Sequence, residues 1–188
     1  MVRAVPGCIL LIWLLGVPSG CASVSVEEYD LPWIYQPLRS SSPGEIADLS
    51  VTESIESLTV SLDEDPRNLM LLERRGWRLA RSGAYEKGIA DFDRGIEIAE
   101  EKGESAVQAR LLCRRGIAYR EARKLSAAID SYTAAIVIDG QNWEFYFHRW
   151  QALRQAGRSD EAEADRQVGL QLRPGVFERK YSKHYGII

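Results

Sequence analysis

From Leu72 to Gly83, apolar or small residues fall at Leu72, Gly76, Leu79, Ala80 and Gly83. From Tyr85 they fall at Tyr85, Gly88, Ile89, Phe92, Gly95, Ile96 and Ile98. Both sets keep the spacing of three or four that gives a helix one buried face. Gly83 stands between them, where a left-handed helix end favours glycine. The pattern predicts a helix-turn-helix. It returns with Leu112, Gly116, Tyr119 and Ala122, then Leu125, Ala128, Ile129, Tyr132, Ala135, Ile136 and Ile138. A third copy holds Tyr146, Trp150, Leu153 and Gly157, then Ala162, Gly169, Leu170, Leu172 and Pro174.

This large–small–aromatic order on the first helix, with small–aromatic–small on the second, resembles the tetratricopeptide repeat (TPR). Leu72, Gly76 and Leu79 with Gly88, Phe92 and Gly95 carry the resemblance in the first unit. Leu112, Gly116 and Tyr119 with Ala128, Tyr132 and Ala135 carry it in the second. It implies an all-α fold, an α-solenoid of three repeats over residues 69–102, 109–142 and 143–176. The departures matter. Glu100 stands where the motif has proline, and the first two units are 40 residues apart rather than 34, so an insertion around 100–105 lengthens helix B or forms a longer loop. In the third unit Trp150 replaces the small residue and Arg166 the aromatic one, so its helices must pack differently.

The flanks differ in kind. Ile55, Leu58 and Leu62 face inward on a lone flanking helix within 49–66 that runs over 50–64, started by a capping box of Ser50 with Glu53 and ended by Pro66. Phe177, Tyr181 and Tyr185 suit a short capping helix or tail over 177–188. Residues 21–48 hold Pro32, Pro37 and Pro43 and read as an extended tether. Its aromatic group, Tyr29, Trp33 and Tyr35, either packs on the first helices or docks a partner.

Residues 1–20 read as a signal peptide. Arg3 precedes an apolar run, Cys8 to Val17, too short for a bilayer span. Ser19, Gly20 and Cys21 resemble a bacterial lipobox, although Pro18 stands where leucine is usual. That resemblance implies lipidation (palmitate among the acyl groups) at Cys21; ordinary cleavage after Ala22 is the alternative. Since Ala22 and Ser23 follow the cysteine rather than an aspartate, it also implies an outer-membrane anchor facing the periplasm.

Composition removes several function classes. Aliphatic, aromatic and cysteine residues make up 45% and charged ones 27%, a globular profile. The formal charge of −3 argues against nucleic acid. Two histidines, His148 and His184, and three cysteines, Cys8, Cys21 and Cys113, support neither a metal site nor a disulfide framework. No catalytic constellation or phosphate loop is present, so no enzyme activity and no cofactor are expected.

What remains is a binding surface. Carrying over the positions that line the concave face in this family gives Met70, Glu73, Trp77, Ala80 and Arg81 from the first unit. The second gives Arg110, Cys113, Ile117 and Arg120, and the third Glu144, Phe147, Gln151 and Arg154. The set suits a peptide or helix carrying both carboxylates and apolar anchors, with Trp77 as an exposed anchor point among arginines. Trp77, Ile117 and Gln151 occupy the asparagine positions of the family's C-terminal carboxylate clamp, which is therefore missing. A second set of arginines, Arg75, Arg115 and Arg149, recurs on helix A, with Asp91, the displaced Asp130 and Asp165 on helix B. Ion pairs Arg75–Asp91 and Arg149–Asp165 within repeats are expected. The resemblance implies a non-enzymatic protein–protein interaction adaptor or scaffold, lipid-anchored in the bacterial envelope. The alternative is a structural envelope protein that self-associates as a homo-oligomer.

Overall fold

The structure, a computed structural model, describes residues 54–176. The stretches read from sequence as a signal peptide and a tether with Cys21, the expected capping box of Ser50 with Glu53, and the C-terminal segment from 177 lie outside the described residues. Seven α-helices are complete among the described residues, and none of those residues forms a strand. They are α1 (Ile55–Glu64), α2 (Leu69–Arg81), α3 (Tyr85–Glu101), α4 (Ser105–Glu121), α5 (Leu125–Ile138), α6 (Trp143–Gln155) and α7 (Ser159–Leu172). Each packs on the next in chain order; α2 also meets α4, and α4 meets α6. The architecture is thus an all-α solenoid of A helices (α2, α4, α6) and B helices (α3, α5, α7), with α1 in the place of a preceding B helix.

Local chemistry sets the boundaries. α1 starts later than its expected 50–64 span, because Ser54 Oγ accepts the Ser57 N–H at 3.0 Å and caps the helix there. Asn68 and Asn142 cap α2 and α6 in the same way, accepting from Met70 and Leu71 and from Glu144. Between A and B helices the chain turns through a left-handed residue, Gly83 (φ 86°) in the first repeat and Gly157 (φ 77°) in the third. In the second, Arg123 takes that role at φ 63° and donates to the Arg120 carbonyl, while Lys124 donates to that of Tyr119.

The six-residue excess of the first spacing enters the helices rather than a loop. α3 is three residues longer than α5 and α7, α4 is four longer than α2 and α6, and the α3–α4 link is one residue shorter than the α5–α6 link. With Glu100 in place of proline, nothing stops α3 until Gly103 (φ 69°) ends it.

Within a repeat the two helices cross closely enough to need small residues. A Cβ on Gly88 would lie 2.6 Å from the Gly76 carbonyl oxygen, and one on Gly116 would lie 2.6 Å from the Tyr132 ring. The third repeat moves its bulk from B to A: Trp150 is 1% exposed at the glycine position, and Arg166 stands where Phe92 and Tyr132 stand. Two core clusters result, one around Leu72, Phe92 and Leu111, the other around Tyr132, Phe145 and Trp150; Trp77, Ile96 and Tyr119 pack against both.

Arginine joins the repeats on their other side. Arg75 grips Asp91 of its own B helix through Nε and Nη2 at 2.8 and 2.7 Å, and donates from Nη1 to Thr59 of α1 at 3.3 Å. Arg149 repeats this with Asp165 at 2.8 and 2.6 Å and Thr133 of α5 at 3.0 Å. Arg115 inverts the arrangement. Its own B helix offers Ser131 at 3.2 Å, and the carboxylate comes from Asp93 of the preceding B helix at 2.7 Å. Asp130, the displaced acid of the sequence pattern, is exposed and does not take this position. Each guanidinium therefore spans two successive B helices.

The three arginines should not be equivalent. Asp91 is 9% exposed at its side chain, whereas Asp93 is 43% exposed and can rehydrate when its partner leaves. Arg75→Met should cost about 3–5 kcal/mol, as an uncompensated buried carboxylate does, and Arg115→Met only about 1 kcal/mol. Urea unfolding of both variants checks this; equal losses would contradict the distinction.

Candidate interaction surface

The predicted surface residues all lie on the three A helices, and the contacts of α2 with α4 and of α4 with α6 bring them onto one face. Their exposure is uneven. Arg81 and Arg154 are exposed; Met70, Trp77, Arg110, Arg120 and Gln151 are partly buried. Glu73, Ala80, Cys113, Ile117, Glu144 and Phe147 are buried. Ala80 approaches Gly88 of α3, and Cys113, Ile117 and Phe147 belong to the second core cluster, so these four contribute to packing.

Side chains tie the A helices across this face. The Glu73 carboxylate on α2 accepts from Arg110 Nε at 2.9 Å and pairs with Arg114 Nε at 2.5 Å, both on α4. The Arg114 guanidinium carbon lies 5.0 Å from the Trp77 ring centroid, a cation–π distance. Further along, Arg120 donates to Gln151 on α6 and pairs with Glu121 at 3.0 Å. Two guanidinium groups thus share the Glu73 carboxylate, and Arg110 Nη2 is buried without a hydrogen-bond acceptor among the described residues. Burial lowers the Arg114 pKa below its ordinary range, with Glu73 opposing the shift.

One member of this cluster is not singled out from sequence, and one histidine that is finds its place in the core. Arg114 completes the Glu73–Trp77 cluster; its spacing of four from Arg110, one helical turn, was the available signal. His148 is buried on α6 between the Tyr132 ring at 5.9 Å and the Phe147 ring at 5.7 Å. The expectation of an exposed Trp77 is corrected. The indole is partly buried because it packs against both core clusters and under Arg114. The open cations are Arg81 and Arg154, each in the last turn of its A helix; Arg120, also in a last turn, is partly buried. There they also complement the negative helix end.

Among the described residues no group of three His, Cys, Asp or Glu side chains is placed to hold a metal. A surface cavity of about 430 Å³ lies elsewhere, between α5, α6 and α7, lined by Arg149, Asp165, Arg158 and Glu161 among others.

No family model matches the sequence, and no curated protein matches it. Solved structures do match. MamA is similar at 20% identity and a TM-score of 0.55, over 64% of this chain and 67% of that one. The second TPR of Spaghetti (RPAP3), solved bound to the HSP90 peptide SRMEEVD, is similar at 26% identity and a TM-score of 0.51, over 60% of this chain and 99% of that one. The Arabidopsis OM64 TPR domain gives 24% and 0.50, over 62% and 95%. A second MamA structure is similar at 21% identity and a TM-score of 0.52, and the chain spans 67% and 63% of the length of the two. These neighbours are TPR proteins, and the fold described here is a TPR solenoid.

Since Trp77 supports both clusters, Trp77→Ala should lower stability by about 3 kcal/mol, the scale of a large-to-small core change, rather than act on binding alone. A chemical-denaturation midpoint equal to that of the wild type would contradict this placement.

Proposed function

We propose that the chain is a non-enzymatic protein–protein interaction adaptor that holds a peptide or helix of a partner on its A-helix face. The observation that carries this reading is the recurrence of Arg81, Arg120 and Arg154 in the last turns of three packed A helices, on the helices that the Glu73–Arg110–Arg114 ion pairs join. Such a face suits a ligand with carboxylates and apolar anchors. The peptide held by the similar RPAP3 repeat, SRMEEVD, is of that acidic kind. The lipobox-like Ser19–Gly20–Cys21 supports lipid anchoring at Cys21 in a bacterial envelope, at the outer membrane facing the periplasm. No helix among the described residues is long and apolar enough to cross a membrane.

The test is capture of partners from the native envelope by the full chain, followed by a binding curve for the partner recovered. Arg81→Ala with Arg154→Ala should weaken binding about tenfold, roughly 1.4 kcal/mol, and make the remainder less sensitive to salt. Unchanged affinity with the fold intact would move the interface off this face. Cys21→Ser should release the chain from the membrane fraction, and a native N-terminus at Ser23 would overturn the anchor. Light scattering that finds an oligomer, with no foreign partner captured, would favour self-association.

A further inference from the structure

The solenoid sorts its exposed charge by edge. Each short link reverses the chain, so the A-to-B turns share one edge and the B-to-A turns the other. Two ion pairs between turns follow this division: Lys124 with Glu86 on the first edge, Arg67 with Glu101 on the second. With one helical turn included on either side of each link, the A-to-B edge exposes seven cations and four carboxylates. Arg78, Arg81 and Lys87 stand at its first link, Arg123 and Lys124 at its second. The B-to-A edge exposes seven carboxylates and two cations, with Asp63, Glu64 and Asp65 at its first link and Glu100, Glu101 and Glu104 at its second.

Helix electrostatics accounts for part of the basic edge and for none of the acidic one. A cation in the last turn of an A helix meets that helix's negative end, as Arg78, Arg81 and Arg154 do. Acids at the same end of a helix are disfavoured. Yet α1 ends with Asp63 and Glu64, α3 ends with Glu100 and Glu101, and neither has a basic residue in its last turn. Arg67 pairs with Glu101, while Asp63, Glu64 and Glu100 form no ion pair among the described residues. These acids oppose their own helices, so what they serve lies outside the helix: a positive surface facing that edge. Arg78, Lys87 and Arg123 on the basic edge are likewise exposed and form no ion pair among the described residues.

We propose that the basic A-to-B edge of one chain docks on the acidic B-to-A edge of a second copy. The two edges are opposite ends of the same packed helices, so the cationic turns of one copy recur at the interval of the acidic turns of the other. Because the two patches differ, the contact is heterologous, and every added copy leaves one edge of each sign open for the next. Exposed ion pairs are individually weak and screened by salt, so the contact needs several of them and forms reversibly. The inference goes beyond the adaptor reading and does not rest on it, since copies joined by their turns can still hold partners.

The test is light scattering of the full chain in detergent at low and high salt, with two charge-reversed variants. One carries Arg78→Glu, Lys87→Glu and Arg123→Glu, the other Asp63→Lys, Glu64→Lys and Glu100→Lys. The wild type should associate at about 0.05 M NaCl and at least about tenfold more weakly at about 0.5 M. Neither variant should associate alone, since both of its edges then carry one sign, and mixing the two should restore association. A wild type that stays monomeric at low salt, association that salt leaves unchanged, or a mixture that fails to associate overturns the proposal. So does a monomeric wild type that binds phosphatidylglycerol vesicles, which would assign the basic edge to anionic lipid. Circular dichroism is the fold control. The lysine variant should melt no lower than the wild type, because a cation suits a helix C-terminus; a lower melting temperature would show that those acids serve the fold. The adaptor reading is tested separately, by partner capture with Arg81→Ala and Arg154→Ala.

Discussion

Arg75, Arg115 and Arg149 each hold a guanidinium between two successive B helices and so fix the register in which the repeats stack. A repeat of two short helices cannot bury its apolar faces alone; it needs neighbours on both sides. The planar fork of arginine suits the task, since two donors can grip one carboxylate while a third reaches a hydroxyl or acid one repeat away. Arg75 and Arg149 do this with Asp91 and Thr59, and with Asp165 and Thr133. In the middle repeat the acid changes side, so Arg115 is tied more strongly to the preceding repeat through Asp93 than to its own through Ser131. The six-residue insertion lies in the same stretch, between Asp93 and Arg115, and the arginine bridges it.

The opposite face follows from the same geometry. Glycine at the crossings brings A and B helices close, and the contacts of α2 with α4 and of α4 with α6 then place A-helix side chains beside one another. Glu73, Arg110, Arg114 and Trp77 close this row at one level, and Arg120 with Gln151 at another. These ties join the A helices across the face, and Arg81 and Arg154 at the helix ends remain exposed. A partly buried ion cluster adds little net stability, but it resists being broken.

Much of the fold was legible in the sequence because it is encoded locally. Helical periodicity, small residues at the crossings and glycine at the turns each act within a few residues of one another. The Arg75–Asp91 and Arg149–Asp165 pairs were legible for a related reason: the sixteen-residue interval recurs, so one alignment of the repeats exposes both. Ser131 and Asp93 were not, because the acid had moved to another repeat and the inserted residues hid the register. The candidate surface was legible in membership but not in exposure. Glu73, Ile117, Glu144 and Phe147 are buried, and Trp77 lies under Arg114. Which side chains on a helix face remain open depends on the neighbouring helix, and no interval within one repeat reports that.

We propose that ligands bind to the A-helix face. Hydrogen exchange of the full chain, with and without the partner captured from the envelope, tests it without altering any residue. Amides of α2, α4 and α6 should slow on binding while those of α3, α5 and α7 change little. Protection concentrated on the B helices, with the A helices unchanged, would contradict the account.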